Sequence, residues 1–329
     1  MLFKRIMSKV GIGGVRLEIV LNEHEYRIGD TVNGTVMIQG GAMNQKIDSI
    51  SVQLMMEISS PNLEVTKCVY ICPVTDSFTI KSGEKKEFPM TFDLSHDLFI
   101  TSKSITYFLQ TNIPAIQSST QKERNGIVIN PTKKVEKIVE TISELGFHET
   151  KGSRFFNGIA QTFEFVPVNA TGFNGQIKTI QFILALQPTN IQMLLEIEPY
   201  QFMQKNTILR QEISLTSSLL TEKKDLKSSF SQVLNEMIDH SAAYTHRKLQ
   251  IEEWKRDGKQ PLKGAMGGVA FMMLADEELA NFVELDEITE YDVISTGLRE
   301  RTFKSGKTSM DVFKKNDYDE ADLFYNDDD

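Results

Sequence analysis

The chain has 329 residues, 40% hydrophobic and 25% charged, which is the balance of an ordinary soluble protein with enough length for two folded cores. Its longest apolar run, residues 269–275, is far shorter than the roughly 20 residues that a membrane-spanning helix needs, so we expect no such helix. Residues 1–275 carry 30 basic and 28 acidic side chains, and this nearly neutral body lacks the broad basic field that a nucleic acid partner would require.

The N-terminus combines apolar and basic side chains within ten positions: Phe3, Lys4, Arg5, Ile6, Lys9 and Val10. It lacks the continuous apolar stretch and the small-residue cleavage site of a secretory signal, which favours a cytoplasmic location. The segment could lie on a bilayer surface as a peripheral anchor, or it could form an ordered first strand or cap. The second alternative is favoured because the segment is short and a single weak anchor binds membranes only marginally.

A turn between two alternating segments follows. Gly29 supplies a positive φ without steric cost, and the Asp30 side chain is expected to bond the turn backbone. Gly34 falls inside the next strand, where we expect a neighbouring chain to approach closely. The period-two pattern predicts two half-buried antiparallel strands, with core residues Val15, Leu17, Ile19 and Leu21 before the turn and Val32, Val36 and Ile38 after it.

Further short strands with turn-rich connections predict an N-terminal β-sandwich over residues 1–130. Pro89 cannot donate to a strand ladder, so its strand is expected at a sheet edge or after a bulge. Cys68 and Cys72 would lie about 13 Å apart on one strand, beyond disulfide reach, and are expected to be reduced, inward-facing thiols. The five histidines are scattered, so we expect neither a metal site nor a cofactor.

The periodicity becomes helical after Asn130. It predicts an interdomain helix of about four turns over residues 131–147, with Pro131 in its first turn and Gly146 at its end. Its apolar stripe, which we expect to be buried between two domains, is Val135, Ile138, Val139, Ile142 and Leu145. A smaller β domain is predicted over residues 148–215, with strands near Thr162–Val166, Ile177–Leu186, Ile191–Ile197 and Ile208–Leu215.

The last third of the chain changes character twice. Residues 216–256 predict one long helix or a helical hairpin, and residues 257–329 predict a Gly-rich linker and an acidic tail. Residues 276–329 carry 17 acidic and 6 basic side chains, typical of a solvated extension that maintains solubility. Alternatively, apolar side chains among these acids could dock into a basic groove of a partner: Phe313, Tyr318, Leu323, Phe324 and Tyr325.

Patterns of catalysis were sought throughout the chain. The sequence contains no nucleophile elbow, zinc-binding helix or dinucleotide fingerprint. Glu196 and Glu198 would share one strand face about 7 Å apart, superficially like an acid–base pair. Cross-strand pairing or solvation is the expected role, because no second catalytic feature accompanies them. We therefore expect no catalytic residues and no small-molecule substrate.

A series of motifs follows in a specific order over roughly residues 1–200: Phe3-Lys4-Arg5, Val10 to Val15, the Tyr26 to Val36 turn, Gly40-Gly41, Gln45 to Asp48, Phe88 to Phe92, Leu145-Gly146-Phe147, Gln161 to Pro167 and Leu195 to Glu198. Together they resemble the bacterial sporulation-control family of arrestin-like proteins. One departure is Pro199-Tyr200, where the family pattern has a basic pair after the acidic strand.

The resemblance implies a mainly β fold, with two arrestin-like β-sandwich domains joined by an amphipathic helix, then a helical C-terminal region and the acidic tail. It also implies a non-catalytic scaffold that controls the onset of sporulation through contacts with cytosolic proteins whose identity is open. Two other functions rank below this one. The first is a peripheral membrane adaptor that uses the N-terminus, and the second is a hydrolase on a β-sandwich.

Removing residues 276–329 is expected to preserve β-type circular dichroism and cooperative melting, because acidic residues with scattered aromatics offer little surface for a core. The truncated chain should bind its partner more weakly than the full chain, and the difference should shrink at high salt because acidic residues steer the encounter. Aggregation of the truncated chain would contradict the first expectation. Equal, salt-insensitive binding of both chains would contradict the second.

Overall fold

The structure is a computed structural model that describes residues 14–60, 63–113, 124–157, 160–168, 172–187, 189–200 and 207–245. These residues are mainly β and divide into two compact units. Of the described residues, the first unit holds 14–59 and 64–136, and the second holds 60, 63 and 137–245. The second boundary therefore falls inside a helix, directly after Glu136.

The first unit contains several β-sheets. Its described strands form a three-stranded sheet in the order β1-β3-β8, a five-stranded sheet in the order β2-β10-β9-β5-β6, and a small pair, β4-β7. Strand β2 is parallel to β10, whereas β1 pairs with β3 in antiparallel register. The bounds are β1 (Arg16–Leu21), β2 (Glu25–Arg27), β3 (Thr31–Gln39), β4 (Gln45–Ile47), β5 (Ile50–Ser60), β6 (Leu63–Thr75), β7 (Phe78–Ile80), β8 (Lys85–Asp93), β9 (Ile105–Asn112) and β10 (Asn125–Asn130).

Alternating buried and exposed side chains along the strands form the core of the first unit. Every second side chain of β1 is buried, and Val32, Val36 and Ile38 of β3 are buried as the period-two pattern predicts. The other sheet contributes Leu54 and Tyr107. Each such aliphatic side chain stabilises the fold by about 1.5–3 kcal/mol relative to an exposed position.

Strand β8 shows how Pro89 is accommodated. It is the last strand in the order of the three-stranded sheet, and Pro89 lies opposite Thr35 of β3 with its side chain exposed. A residue without an N–H group is tolerated at a sheet edge, where one side of the strand needs no ladder. The prediction of an edge strand is confirmed in the part of the chain that the structure describes.

Helix α1 (Lys133–Glu144) has 12 residues, about three turns, and is shorter than the predicted four. The Thr132 hydroxyl accepts from the Val135 N–H at 3.4 Å, so Pro131 precedes the cap and does not lie in the first turn. Gly146 lies beyond the C-terminus with a φ of +93°, as expected for a residue that stops a helix. Within the apolar stripe, three side chains are buried and two are partly exposed: Val135, Ile138 and Ile142, then Val139 and Leu145.

The second unit contains one antiparallel sheet in the order β11-β13-β14-β15-β16, with β12 also paired to β13. The four strands predicted for this region are confirmed with boundaries shifted by at most two residues. The described residues of this unit form one sheet with helices, in place of the two facing sheets that a second sandwich needs. The strands are β11 (Phe147–Glu149), β12 (Phe155–Phe156), β13 (Gln161–Pro167), β14 (Ile177–Leu186), β15 (Asn190–Pro199) and β16 (Leu209–Thr216).

Three helices follow in place of the predicted single helix or hairpin: α2 (Ser217–Thr221), α3 (Lys223–Asp239) and α4 (Ser241–Thr245). The break after α2 falls at Glu222, whose backbone is extended, and α2 and α4 lie against β16. The helices are therefore part of the second unit. Spacing of three and four residues places one buried apolar face on α3, formed by Leu226, Phe230, Leu234 and Met237.

Ile138→Asp is expected to lower the free energy of unfolding by several kcal/mol, because Ile138 is 0% exposed and a carboxylate there would have to be buried without a partner. Thermal melting followed by circular dichroism measures the effect. Lys133→Asp on the same helix is the control, since that side chain is exposed and the change should stay within about 0.5 kcal/mol. Equal melting temperatures for the two variants would show that the apolar stripe does not contribute to stability.

Candidate functional site

The turn at residues 27–30 connects the two sheets of the first unit. The Asp30 N–H donates to the Arg27 carbonyl at 2.9 Å, and the Arg27 N–H donates to the Asp30 carboxylate at 2.7 Å. Gly29 has a φ of +85°, in the left-handed region that favours glycine. The strand that enters the turn is β2 of the five-stranded sheet. The prediction that this turn joins the two alternating strands directly was therefore wrong. Strands β1 and β3 still pair, with Leu21 opposite Gly34.

The Arg27 side chain holds the start of α1. Its Nη1 atom donates to the Pro131 carbonyl at 2.8 Å and lies 2.7 Å from the Glu136 carboxylate. Both side chains of this ion pair are about one-third exposed, so the pair itself contributes at most about 1 kcal/mol. The hydrogen bond to the Pro131 carbonyl orients the backbone at the point where the chain leaves β10. Sequence patterns contain no signal for this contact, since its partners lie more than 100 positions apart.

Gly34 lies where β3 runs between β1 and β8. A Cβ atom on Gly34 would lie 2.7 Å from the Val20 carbonyl oxygen and 3.0 Å from the Met90 Cε atom. The carbonyl belongs to the backbone of the paired strand and cannot swing away as a side chain can. Any side chain at this position therefore forces two paired strands apart.

Glu196 and Glu198 of β15 are engaged by different neighbouring strands. Glu196 is 3% exposed, and its carboxylate accepts from Arg210 Nε of β16 at 2.8 Å. Glu198 accepts from Lys178 Nζ at 2.9 Å and from the Thr179 hydroxyl at 3.3 Å, both at the start of β14. The geometry agrees with the expected cross-strand pairing, whereas solvation does not describe the buried Glu196. Each carboxylate thus has a cationic partner on a different neighbouring strand.

The two cysteines are free thiols on β6. Cys72 is buried and its thiol points toward the Thr91 carbonyl at 3.7 Å, whereas Cys68 is half-buried. Burial raises the pKa of both thiols above its usual value. Little thiolate is therefore present near neutral pH, whereas a nucleophilic cysteine has a lowered pKa.

An open cavity of about 510 Å³ lies beside the turn in the first unit. The residues that line it come from three strands and two connections: Leu54 of β5, Val69 and Tyr70 of β6, Asp93 at the end of β8, residues 94–98 after β8, and Gly29. A Cβ atom on Gly29 would lie 2.5 Å from the His96 imidazole. The volume falls within the roughly 300–1,000 Å³ of ligand-binding pockets.

The cavity has an acidic side. Asp93 and Asp97 both line it, and none of the described lining residues is Lys or Arg. The Asp93 carboxylate accepts from the Thr31 hydroxyl at 2.6 Å, which keeps the carboxylate next to β3. The Leu94 N–H donates to the Asp30 carbonyl at 2.9 Å, so the loop is tied directly to the turn. The lining of the cavity thus combines two carboxylates with apolar side chains.

Strand β6 borders the cavity and is the last strand of the five-stranded sheet in the described part of the chain. Its Tyr70 and Ile71 side chains are 44% and 54% exposed, and the Tyr70 ring stacks on Phe92 with centroids 5.1 Å apart. An edge strand presents N–H and C=O groups to which an extended segment of another protein can pair. We call Val69, Tyr70 and Ile71 with the loop at residues 93–98 the β6 surface.

The structure brings only part of the predicted set to this surface. Gly29 lines the cavity and Asp30 anchors its loop, whereas Gly34 lies within the three-stranded sheet. Tyr70, Ile71 and His96 were not predicted as site residues. The available signal was the run of four apolar residues from position 69 to 72, which breaks the alternation expected of a half-buried strand. The proposed partner-binding residues of the tail lie outside the described residues: Phe313, Tyr318, Leu323, Phe324 and Tyr325.

Two other kinds of site were searched for in the described residues. They contain no group of three or more His, Cys, Asp or Glu residues that could hold a metal ion. They also contain no helix with the length and apolar composition to cross a membrane. The basic and apolar N-terminal residues, Phe3 to Val10, lie outside the described ranges.

Comparisons with known proteins identify relatives of the chain. The family model Spo0M, described as SpoOM protein, matches residues 3–200. The sporulation-control protein spo0M of Bacillus subtilis (strain 168) is 27% identical over 207 residues, which cover 60% of this chain and 80% of that protein. The crystal structure of Spo0M, sporulation control protein, from Bacillus subtilis has a TM-score of 0.55 and 24% identity, and covers 68% of this chain and 99% of that chain. The structural likeness shows a common fold.

Gly34→Ala is expected to destabilise the protein by about 1–3 kcal/mol, because the added Cβ atom meets the Val20 backbone. Gly126→Ala is the matched control, since Gly126 also lies in a strand and its nearest neighbour for a Cβ atom is 4.0 Å away. Urea unfolding measures both variants. If the two variants unfold at the same urea concentration, the close approach at Gly34 has no energetic consequence.

Arg210→Met is expected to cost about 3–5 kcal/mol, because it leaves the Glu196 carboxylate buried without its partner. Lys178→Met removes the analogous partner of Glu198, but the Lys178 side chain is 43% exposed against 8% for Arg210. Water can reach the position of Lys178 and the Thr179 hydroxyl still donates to Glu198, so the loss of Lys178 should cost less than the loss of Arg210. Comparable losses in urea unfolding would contradict the assigned difference in burial.

Proposed function

The chain belongs to the SpoOM protein family, and on this premise we propose that it is a non-catalytic regulator of the onset of sporulation that acts in the cytoplasm through contacts with other proteins. Family membership supports the link to sporulation control. The β6 surface is the observation that supports protein contacts as the mechanism. In the described part of the chain it combines the last strand of the five-stranded sheet, the exposed Tyr70 and Ile71 of that strand, and a cavity that Tyr70 lines.

The composition of the β6 surface suits protein recognition. Single exposed apolar residues are common on any protein, but here two consecutive residues of one strand, an aromatic and an aliphatic one, are both exposed. Tyrosine is enriched at interfaces because it buries a large area while its hydroxyl group can stay hydrated. The stacking of Tyr70 on Phe92 also holds the ring in place, which lowers the entropy lost on binding.

The non-catalytic part of the proposal rests on what the carboxylates do. A general acid or base must reach a substrate and exchange a proton with it. Glu196 is buried against Arg210, and Glu198 is held by Lys178 and Thr179, so both are committed to neighbouring strands. Their arrangement accounts for the pair of carboxylates without an enzymatic role.

Genetic complementation tests the proposal in the organism that encodes the chain, with the chromosomal copy deleted. Replacing Tyr70 and Ile71 together by Thr keeps β-strand preference but removes the exposed apolar area, and it should reproduce the sporulation timing of the deletion strain. The control replaces Met43 and Val128, which are also exposed in the first unit, by Thr. It should sporulate as the wild type does. Protein level and melting temperature are measured for both variants.

Normal sporulation timing in the Tyr70 and Ile71 variant would contradict protein contact through the β6 surface. Flotation with anionic lipid vesicles separates the proposal from a peripheral membrane role. A regulator that acts through protein contacts should stay with the soluble fraction, and flotation that is lost when residues 1–10 are removed would favour the membrane adaptor.

A further inference from the structure

Within the described part of the chain, β6 has a neighbouring strand on one side, and its other edge favours a partner segment in extended conformation. The strand has 13 residues, and Tyr70 and Ile71 lie near its middle. A segment that pairs with this edge places every second side chain on the same face, at intervals of about 7 Å. One such side chain can therefore enter the cavity while the backbone of the segment continues along β6.

The cavity favours a long side chain with a positive end. Leu54, Val69 and Leu98 provide apolar walls, and Asp93 and Asp97 provide negative charge. Lysine and arginine combine an apolar stem with a cationic head, so they can contact both parts of such a site at once. An acidic side chain would meet two carboxylates, with no Lys or Arg among the described lining residues to compensate them.

The Tyr70 ring strengthens this preference. It lines the cavity and is 44% exposed, so one part of the ring stays available to a bound group. A cation within about 6 Å of an aromatic face is attracted by the electron density of the ring, more strongly the further the cation is removed from water. The same ring can pack against the apolar stem of the side chain.

We infer that the β6 surface binds an extended basic segment of a partner protein, which adds to the edge of β6 and places one Lys or Arg side chain in the cavity beside Asp93 and Asp97. The inference rests on the proposed function, because it specifies the chemistry of the partner through which the regulator acts. Positive charge is selected by the cavity, and extended conformation is selected by the strand edge.

Selection of peptides from a random display library against the full chain tests the inference. The selected peptides should carry a Lys or Arg at a constant position, and replacing that residue by Ala should weaken binding at least tenfold. Asp93→Asn combined with Asp97→Asn should weaken the same peptides at least tenfold, while the amide oxygen introduced at position 93 can still accept from the Thr31 hydroxyl. Asp48→Asn with Glu87→Gln is the control, because it removes two exposed carboxylates that are not among the cavity-lining residues.

Backbone pairing is tested separately with the selected peptides. Methylation of alternate peptide nitrogens that face β6 should weaken binding, and methylation of the opposite set should not, because only one set faces a strand edge. The inference is overturned if no peptide is enriched, if the enriched peptides lack a common basic residue, or if the Asp93 and Asp97 variant binds them as the wild type does. Equal effects of both methylation patterns would overturn the added strand.

The inference and the proposed function fail in different ways. Suppose the Asp93 and Asp97 variant sporulates normally while the Tyr70 and Ile71 variant does not. The regulatory contact then stands and the basic occupant is overturned. If both variants sporulate normally but lose the basic peptides, the binding preference stands and the proposed regulatory role through this surface is overturned.

Discussion

The turn at residues 27–30 is the constraint on which the architecture of the first unit depends. Strand β2 before it belongs to the five-stranded sheet, and β3 after it belongs to the three-stranded sheet. The hydrogen bonds between Arg27 and Asp30 close the turn, and the Asp30 carbonyl holds the cavity loop through Leu94. Because Gly29 has no Cβ atom, the His96 ring can occupy the space beside it. The shape of the cavity follows from these few contacts.

The same turn reaches the first residues of α1 through Arg27. Each hydrogen bond contributes only about 1 kcal/mol net, and the partly exposed ion pair to Glu136 contributes at most as much. These contacts therefore orient the chain at the start of α1 more than they stabilise the fold. They hold loops against the strands of the first unit, and binding residues are commonly presented on loops that a scaffold positions. The β6 surface is accordingly built from a strand and a fixed loop, and an added segment would meet a preformed edge.

Periodicity predicted much of the fold but little of the candidate site. Alternation identifies which face of a strand is buried, so the strands around Val36 and Leu195 follow from the sequence. It does not identify what covers that face, and for this reason it did not predict that the described strands of the second unit form one sheet with α2 and α4 against β16. The parallel pairing of β2 with β10 and the bond from Arg27 to Pro131 join residues about 100 positions apart, which local patterns do not encode. The cavity depends on those long-range contacts, and Tyr70 was missed with it.

The central claim is that the molecule acts by direct protein contact at the β6 surface. Its most direct measurement places a photoreactive phenylalanine analogue at position 71 of the full chain, and at position 43 in a parallel strain, in cells entering sporulation. Both positions are exposed in the first unit, but only position 71 belongs to the β6 surface. The account predicts a discrete light-dependent adduct with one protein from position 71 and none from position 43. The absence of an adduct from position 71, or the same adduct from both positions, would contradict it.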